Sequence, residues 1–324
     1  MRDKAYPDLA GIEQAVEVIR PYLAETPLLR SELLSRALDA DVWLKYETAT
    51  PIASFKIRGA LNASFNAKNA GASGVVTSST GNHGQGVAYA ARLLGMSADI
   101  FLPCPANKVK TQMIQAFGGT VHEIGDNFEL AKVASLEYAE EHGHQFINDG
   151  EAIDVMEGAG SIGYEIAKQL DDIDVVLVPT GGGNLAGGCV TAIKALQPNA
   201  KVISVQAKGA PAVTESFHAR KSLERGIDTI ADGLVTGKPC ELAMSVLWCL
   251  LDDAWLTSDD DLLAATHSLI ERAHVLVEPS GAASVAGAFR NQDVIRGKRV
   301  VLILTGANIS TELLQQVLAT PPVW

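Results

Sequence analysis

Short apolar, β-branched runs alternate with helical periods along nearly the whole chain. Trp43–Tyr46, Gly74–Thr77, Asp99–Leu102 and Thr120–Ile124 predict strands, and Asp174–Val178, Val202–Gln206 and Arg299–Leu304 continue the series. Helical spacing occupies Asn82–Leu94, Lys108–Phe117, Phe128–Glu141 and Leu185–Leu196. Val175 to Val178 are apolar without alternation, which suits a strand covered on both faces, because neither side meets water. Strands separated by helices imply parallel sheets with helices on both faces, so the fold class is α/β. The 324 residues suit one large or two moderate domains. No low-complexity linker or internal repeat interrupts them, so any domains are interleaved rather than strung in series.

Composition narrows the partners. The formal net charge of −12 argues against nucleic acid or anionic membrane as the main partner. Cys104, Cys189, Cys240 and Cys249 form no CxxC pair and no metal-ligand spacing, which predicts reduced thiols. Met1–Asp8 lacks an apolar signal-peptide core, and no segment approaches the ~20 apolar residues of a membrane span. The expected location is the cytoplasm.

Three segments carry the candidate chemistry. The first is Ser54-Phe55-Lys56-Ile57-Arg58-Gly59-Ala60, the second Ser78-Ser79-Thr80-Gly81-Asn82-His83-Gly84-Gln85-Gly86, the third Pro179-Thr180-Gly181-Gly182-Gly183-Asn184-Leu185. Taken alone, Lys56 reads as a solvated lysine at a helix start, and the triple glycine as a tight turn or a nucleotide site. The loop lacks the terminal Gly-Lys-Ser/Thr of a P-loop and the G-x-G-x-x-G of dinucleotide binders. Lysine amines form Schiff bases with carbonyl compounds, and glycine turns that open a helix bind phosphate through backbone N–H groups. A phosphorylated aldehyde answers to both, and pyridoxal 5′-phosphate is such a molecule.

In this order the segments resemble the fold-type II pyridoxal-phosphate enzymes, in the serine/threonine dehydratase and serine racemase branch. Ile230-Ala231-Asp232-Gly233, Glu278-Pro279-Ser280-Gly281-Ala282-Ala283 and Thr305-Gly306-Ala307-Asn308 extend the likeness over nearly the whole chain. The resemblance implies two interleaved three-layer αβα domains: a large cofactor-binding domain over 1–73 and 150–324, and a small inserted domain over 74–149, with the cofactor between. It also implies a homodimer or higher homo-oligomer. Resembling biosynthetic threonine dehydratases carry an additional C-terminal regulatory domain, for which this chain has no length, so feedback through one is not expected.

The resemblance assigns roles residue by residue. Lys56 bonds covalently to the cofactor, kept nucleophilic by partial burial beside Phe55, and later takes the Cα proton as general base. Phe55, Asn82, Gly181, Gly182, Gly183, Asn184, Leu185, Gly233 and Thr305 join it in binding the cofactor. Asn82 bonds the ring hydroxyl, although as an ordinary helix cap it would need no ligand. Ser79, Thr80, Gly81, Asn82 and His83 receive the substrate carboxylate at a helix start. His83 is given no acid–base role. Thr305 faces the pyridine nitrogen with a neutral hydroxyl, which favours β-elimination over a long-lived delocalised carbanion. The cofactor phosphate is the nearest acid for the departing hydroxyl. The resulting enamine hydrolyses to a 2-oxo acid and ammonia.

Four departures qualify the assignment. Thr80 stands where racemases present a serine as the acid/base opposite the lysine, so it is a second candidate catalytic residue; its β-branch opposes two-faced proton transfer. Asn184 replaces a fourth glycine, which fits asparagine's tolerance of left-handed backbone. Gln206 stands where metal-binding relatives place a glutamate, so no metal is expected. The stretch Asn148–Ser161 ends Gly158-Ala159-Gly160-Ser161, where the common pattern is Gly-Gln-Gly-Thr, which points to a non-standard substrate. The expected reaction is dehydration and deamination of a β-hydroxy amino acid, by default L-threonine or L-serine. Alternatives are phenylserine, 3-hydroxyaspartate or hydroxyectoine as substrate, or a serine racemase. A non-catalytic amino-acid-binding protein would not need Lys56.

Overall fold

The computed structural model describes residues 6–324. The first five residues of the Met1–Asp8 reading lie outside them. Among the described residues ten strands appear in chain order. They are β1 (Leu28–Arg30), β2 (Asp41–Tyr46), β3 (Gly74–Ser78), β4 (Ser97–Leu102) and β5 (Thr120–Glu123). Then follow β6 (Gln145–Phe146), β7 (Val175–Pro179), β8 (Lys201–Ala207), β9 (Asp253–Thr257) and β10 (Arg299–Leu304). All seven expected strands are present, with no end shifted by more than two residues. The short β1 and β6 and the Asp-led β9 lack the apolar run that announces a strand.

The chain forms two compact units. The first takes the chain up to Ala24 with Lys56–Ala159, and the second takes Glu25–Phe55 with Gly160–Trp324. The expected insertion, 74–149, lies wholly inside the first unit, which also takes the chain up to Ala24, 56–73 and 150–159. Glycine contacts explain the addition. A Cβ on Gly59 would lie 2.7 Å from the Val155 carbonyl oxygen, and one on Gly158 2.7 Å from Gly59 Cα. Two helices that touch through bare backbone must belong to one packed body.

In the first unit the sheet order is β5-β4-β3-β6, parallel throughout. Every residue of β3 is buried. Val76, Phe101, Ala131 and Ala139 form a core against this sheet. The helix Asn82–Leu94 follows β3 and ends at Gly95, whose φ of 68° closes it in the left-handed region.

In the second unit the order is β1-β2-β10-β7-β8-β9. β1 runs antiparallel to β2, and the remaining pairs are parallel. The one antiparallel strand is a three-residue edge, returned by the short helix Glu32–Leu38 and left-handed Asp39. β7 is buried along its whole length, as its unbroken apolar run requires. Val175, Leu177, Ile203, Val205, Val300, Leu302 and Leu304 share one core. Lys45 on β2 is fully enclosed; its Nζ donates to Glu165 Oε2 at 2.7 Å, Thr26 O at 2.9 Å and Gln169 Oε1 at 3.1 Å. Three donors therefore meet three acceptors.

Candidate active site

Lys56 begins the helix Lys56–Asn69 in the first unit. Its placement depends on the glycines of the second motif. A Cβ on Gly86 would sit 3.2 Å from the Lys56 carbonyl, and one on Gly84 2.4 Å from the Ser79 carbonyl oxygen. Gly86 thus lets the lysine-bearing helix approach, and Gly84 lets the Ser79 turn fold back over its own helix. The cap of that helix is Gly81, with no side-chain hydrogen bond, so Asn82 is its first residue and not its cap. Ser79 Oγ accepts the Gly81 N–H at 3.3 Å, and the space a Gly81 side chain would fill is open to 4 Å. Thr80 beside it is half-buried.

The lysine's partner was not anticipated. Lys56 Nζ lies 2.6 Å from both carboxylate oxygens of Asp149. Lys56 is partly buried, its side chain 20% exposed, and it faces a carboxylate besides its neighbour Phe55. Asp149 Oδ1 is also 3.3 Å from His83 Nδ1. Burial would push the Asp149 pKa up, but His83, the Lys56 charge and its hydrogen bonds outweigh that and hold it at about 2. Burial pushes His83 down, with Lys56 adding to the shift and Asp149 and the Ile147 carbonyl opposing it. The ring is then neutral near pH 7 and has one N–H for two acceptors: Ile147 O, 3.3 Å from Nε2, and Asp149. The turn is held locally, since Asn148 Oδ1 accepts from Gly150 N at 2.9 Å and Glu151 N at 3.3 Å.

The second unit gathers the remaining motifs. β7 leads through Gly181–Gly183 into the helix Asn184–Leu196, which has no side-chain cap. Gly183 takes the left-handed conformation at φ 104°. Asn184 is the first helical residue, so the expectation that it needs left-handed tolerance is corrected: the strain falls on the glycine before it. Asn184 and Leu185 are buried. A Cβ on Gly181 would lie 2.8 Å from Gly233 O, and the Gly233 N–H donates to Ser280 Oγ at 2.9 Å. A Cβ on Gly281 would meet Gly306 O at 2.6 Å. Phe55, the residue before Lys56, donates its N–H to Thr305 O at 3.0 Å, and Thr305 is buried at the end of β10. Ala53, just upstream, holds φ 50°, a conformation costly for a residue with a Cβ.

Gln206 has a structural use. Fully buried, it donates to Gly181 O at 3.3 Å and accepts from Thr214 N at 2.9 Å, tying the glycine turn to the helix Ala212–Ala219. Its carboxamide supplies both the donor and the acceptor, which an ionised carboxylate could not. Among the described residues no group of three or more His, Cys, Asp or Glu could hold a metal ion.

Two sets of residues are therefore assembled. Lys56, His83 and the Ser79–Asn82 turn lie in the first unit; Phe55, Gly181–Leu185, Gly233 and Thr305 lie in the second. The uncapped N–H groups after Gly183 suit a phosphate. Helices such as Leu9–Ile19, Glu32–Leu38 and Phe128–His142 instead close their N-termini with their own Asp8, Ser31 and Asn127. With a lysine amine available for an aldehyde, the residues present fit pyridoxal phosphate. Asp149 and Ser280 were missed; the only signal for Asp149 was the divergence of its segment.

The family described as "Pyridoxal-phosphate dependent enzyme" matches residues 19–306. The L-threonine ammonia-lyase of Thermotoga maritima is 34% identical over 96% of this chain and 78% of its own length. The processed form of threonine deaminase isoform 2 from Solanum lycopersicum superposes with a TM-score of 0.90 at 32% identity, covering 98% of this chain and 95% of that one. Maize serine racemase gives a TM-score of 0.90 at 30% identity, covering 97% of each chain.

Proposed function

The chain belongs to the family of pyridoxal-phosphate dependent enzymes, and on that premise we propose that it is an ammonia-lyase. It removes water from a β-hydroxy amino acid, by default L-threonine or L-serine, and yields a 2-oxo acid and ammonia. The observation that carries this reading is Lys56, whose amine opens a helix within a chain 34% identical to an L-threonine ammonia-lyase.

Lys56 Nζ would bond the cofactor aldehyde, and the N–H groups after Gly183 would hold its phosphate with the helix dipole. Asn82, Gly233 and Thr305 complete the set. The cofactor, when bound, supplies the electron sink for the carbon that loses its proton. The substrate's α-amino group would displace Lys56 Nζ, and the freed amine takes that proton; a positioned general base contributes on the order of 10²–10⁴-fold. Ser79 and the N–H groups at the start of Asn82–Leu94 orient the substrate carboxylate. Thr305 offers a neutral hydroxyl rather than a carboxylate, which favours loss of the β-hydroxyl. His83, neutral and buried, packs beside Asp149 and is given no acid–base role.

The enzyme works without a divalent cation, because Gln206 spends its amide on Gly181 and Thr214. The same reading takes it to act in the cytoplasm as a homodimer or higher homo-oligomer, as the family resemblance implies.

A screen of β-hydroxy amino acids for 2-oxo acid release tests the reading. Release from at least one, abolished in Lys56→Ala, is expected, and release from none would overturn it. The likeness to maize serine racemase at 30% identity keeps racemisation as a second reading. Thr80 weighs against it, since its methyl restricts χ1. Chiral chromatography after partial turnover of L-serine should show D-serine only in trace; D-serine and pyruvate in comparable yield would favour the racemase.

A further inference from the structure

We propose that Glu278 is a further residue of the cofactor site: its carboxylate, set between Gly233 and Gly306, favours a proton on the cofactor's ring nitrogen. This rests on the reading above, in which Thr305 faces that nitrogen with a neutral hydroxyl, and deepens it.

Three motifs, at 230–233, 278–283 and 305–308, meet in the second unit around one side chain. A Cβ on Gly306 would lie 2.5 Å from Glu278 Oε1 and 3.4 Å from Ala53 O, so a side chain there would drive the carboxylate out. A Cβ on Gly233 would stand 2.9 Å from Ser280 Cβ and 3.9 Å from the same Oε1. Two glycines from distant parts of the chain therefore leave room for one carboxylate oxygen. Allowing a carbon–carbon bond of about 1.5 Å, Oε1 lies within about 4 Å of Gly306 Cα, the next residue after Thr305.

The corner is already tied without that oxygen. Glu278 N donates to Gly306 O at 3.0 Å, Gly281 N to Glu278 O at 2.8 Å, and Gly233 N to Ser280 Oγ at 2.9 Å. Backbone and a serine thus clip the three motifs together. Glu278 also precedes the short helix Pro279–Ala282, yet its side chain makes no capping bond to it. The carboxylate is therefore placed for reasons beyond the turn it opens.

Charge selects what it can meet. The cofactor phosphate goes to the N–H groups after Gly183, and the substrate carboxylate to the helix start after Gly81, both suited to anions. A carboxylate at the Thr305 end repels those groups and suits a part of the cofactor that can carry positive charge. The ring nitrogen is that part. An opposite charge within about 4–6 Å favours the protonated form. The effect acts through space, so it does not require the carboxylate to be free of other hydrogen bonds. Thr305 supplies no charge, and Glu278 makes the electron sink stronger than a lone hydroxyl would leave it.

The test reconstitutes the holoenzyme with cofactor carrying ¹⁵N in its ring, with no substrate present. The ¹⁵N NMR shift, followed against pH, gives the midpoint at which the nitrogen loses its proton. In the unmodified enzyme that midpoint should lie at least about one pH unit above that of Glu278→Gln, with Glu278→Asp between them. Glu278→Gln should also bind pyridoxal phosphate more weakly, while its affinity for the 1-deaza analogue, which lacks the ring nitrogen, changes by less than about threefold. Equal midpoints, or an equal loss of affinity for both compounds, would overturn the proposal; the second result is what a merely structural carboxylate predicts. If Glu278→Gln fails to fold, the Glu278→Asp midpoint decides in the same way. An unmodified enzyme whose ring nitrogen stays unprotonated at every pH where it is folded overturns the proposal alone. Failure of the ammonia-lyase reading would appear separately, as absence of 2-oxo acid from every β-hydroxy substrate.

Discussion

Lys45 and Lys56 each meet a carboxylate at nearly the same distance, 2.7 Å to Glu165 and 2.6 Å to Asp149. Their surroundings differ. Lys45 and Glu165 are 0% and 3% exposed, and the ammonium divides its hydrogens among a carboxylate, a backbone carbonyl and a carboxamide. Lys56 gives two bonds to one carboxylate, and both partners reach the surface. The enclosed pair is complete and has nothing left to offer. The open pair is reached by solvent on both sides, so an aldehyde or a substrate can compete for it. An ion pair's chemistry follows from how many of its partners are fixed, not from its length.

The largest expected effect separates the two lysines by activity. Lys56→Ala should drop turnover by at least the ~10²–10⁴-fold of a general base, with stability changed by about 0.5 kcal/mol or less. Measured 2-oxo acid release and a denaturant midpoint check the two halves; retained turnover would erase the distinction. The reverse pattern is expected of Lys45→Ala. Removing one partner of an enclosed pair leaves Glu165 uncompensated and should cost about 3–5 kcal/mol. Replacing both Lys45 and Glu165 by methionine should recover much of that loss. Urea titration of the single and double variants measures it, and a single-variant loss below about 1 kcal/mol would show that the network is not sealed.

A smaller effect is expected of Gln206→Glu, which keeps the acceptor for Thr214 and loses the donor to Gly181. Leaving that buried group unmatched should cost about 1–3 kcal/mol and weaken cofactor retention. Equilibrium dialysis of the cofactor and thermal unfolding check both, and the unmodified enzyme should keep its activity in EDTA. The smallest effect concerns acid. Asp149 titrates at about 2, below its ordinary 3.8. A depressed carboxylate stabilises the fold above its unfolded pKa, and this contribution is lost as pH falls through about 2. Asp149→Asn should lower stability at pH 7 by less than about 1 kcal/mol, the scale of a partly exposed pair, and the difference from the unmodified protein should vanish as pH falls from about 4 through about 2. Melting curves at stepped pH measure it; identical acid profiles would show that the contact does not persist in solution.

Legibility followed the range of the signal. Asn82–Leu94 and β10 have the ends read from periodicity alone. The three-residue β1 and two-residue β6 did not, because a strand that short has no period to detect. Gly181–Gly183 was legible as a turn, yet which residue goes left-handed was not; Gly183 takes it and Asn184 begins a regular helix. Gln206 was visible as a missing acid, but its two bonds, to Gly181 and Thr214, were not.

What the chain determines by itself is local: alternation and β-branching set the α/β class, and glycines beside Lys56, Gly81 and Pro179 mark where backbone must approach closely or open a helix. The family followed from the order of those motifs. Tertiary structure decided which charges meet. Asp149 is 93 positions from Lys56, and Glu165 is 120 from Lys45. Contacts over such separations are set by strand order and by helices crossing at Gly59, Gly86 and Gly158, which no local period encodes. The carboxylate that faces the reactive lysine belongs to that second kind of information.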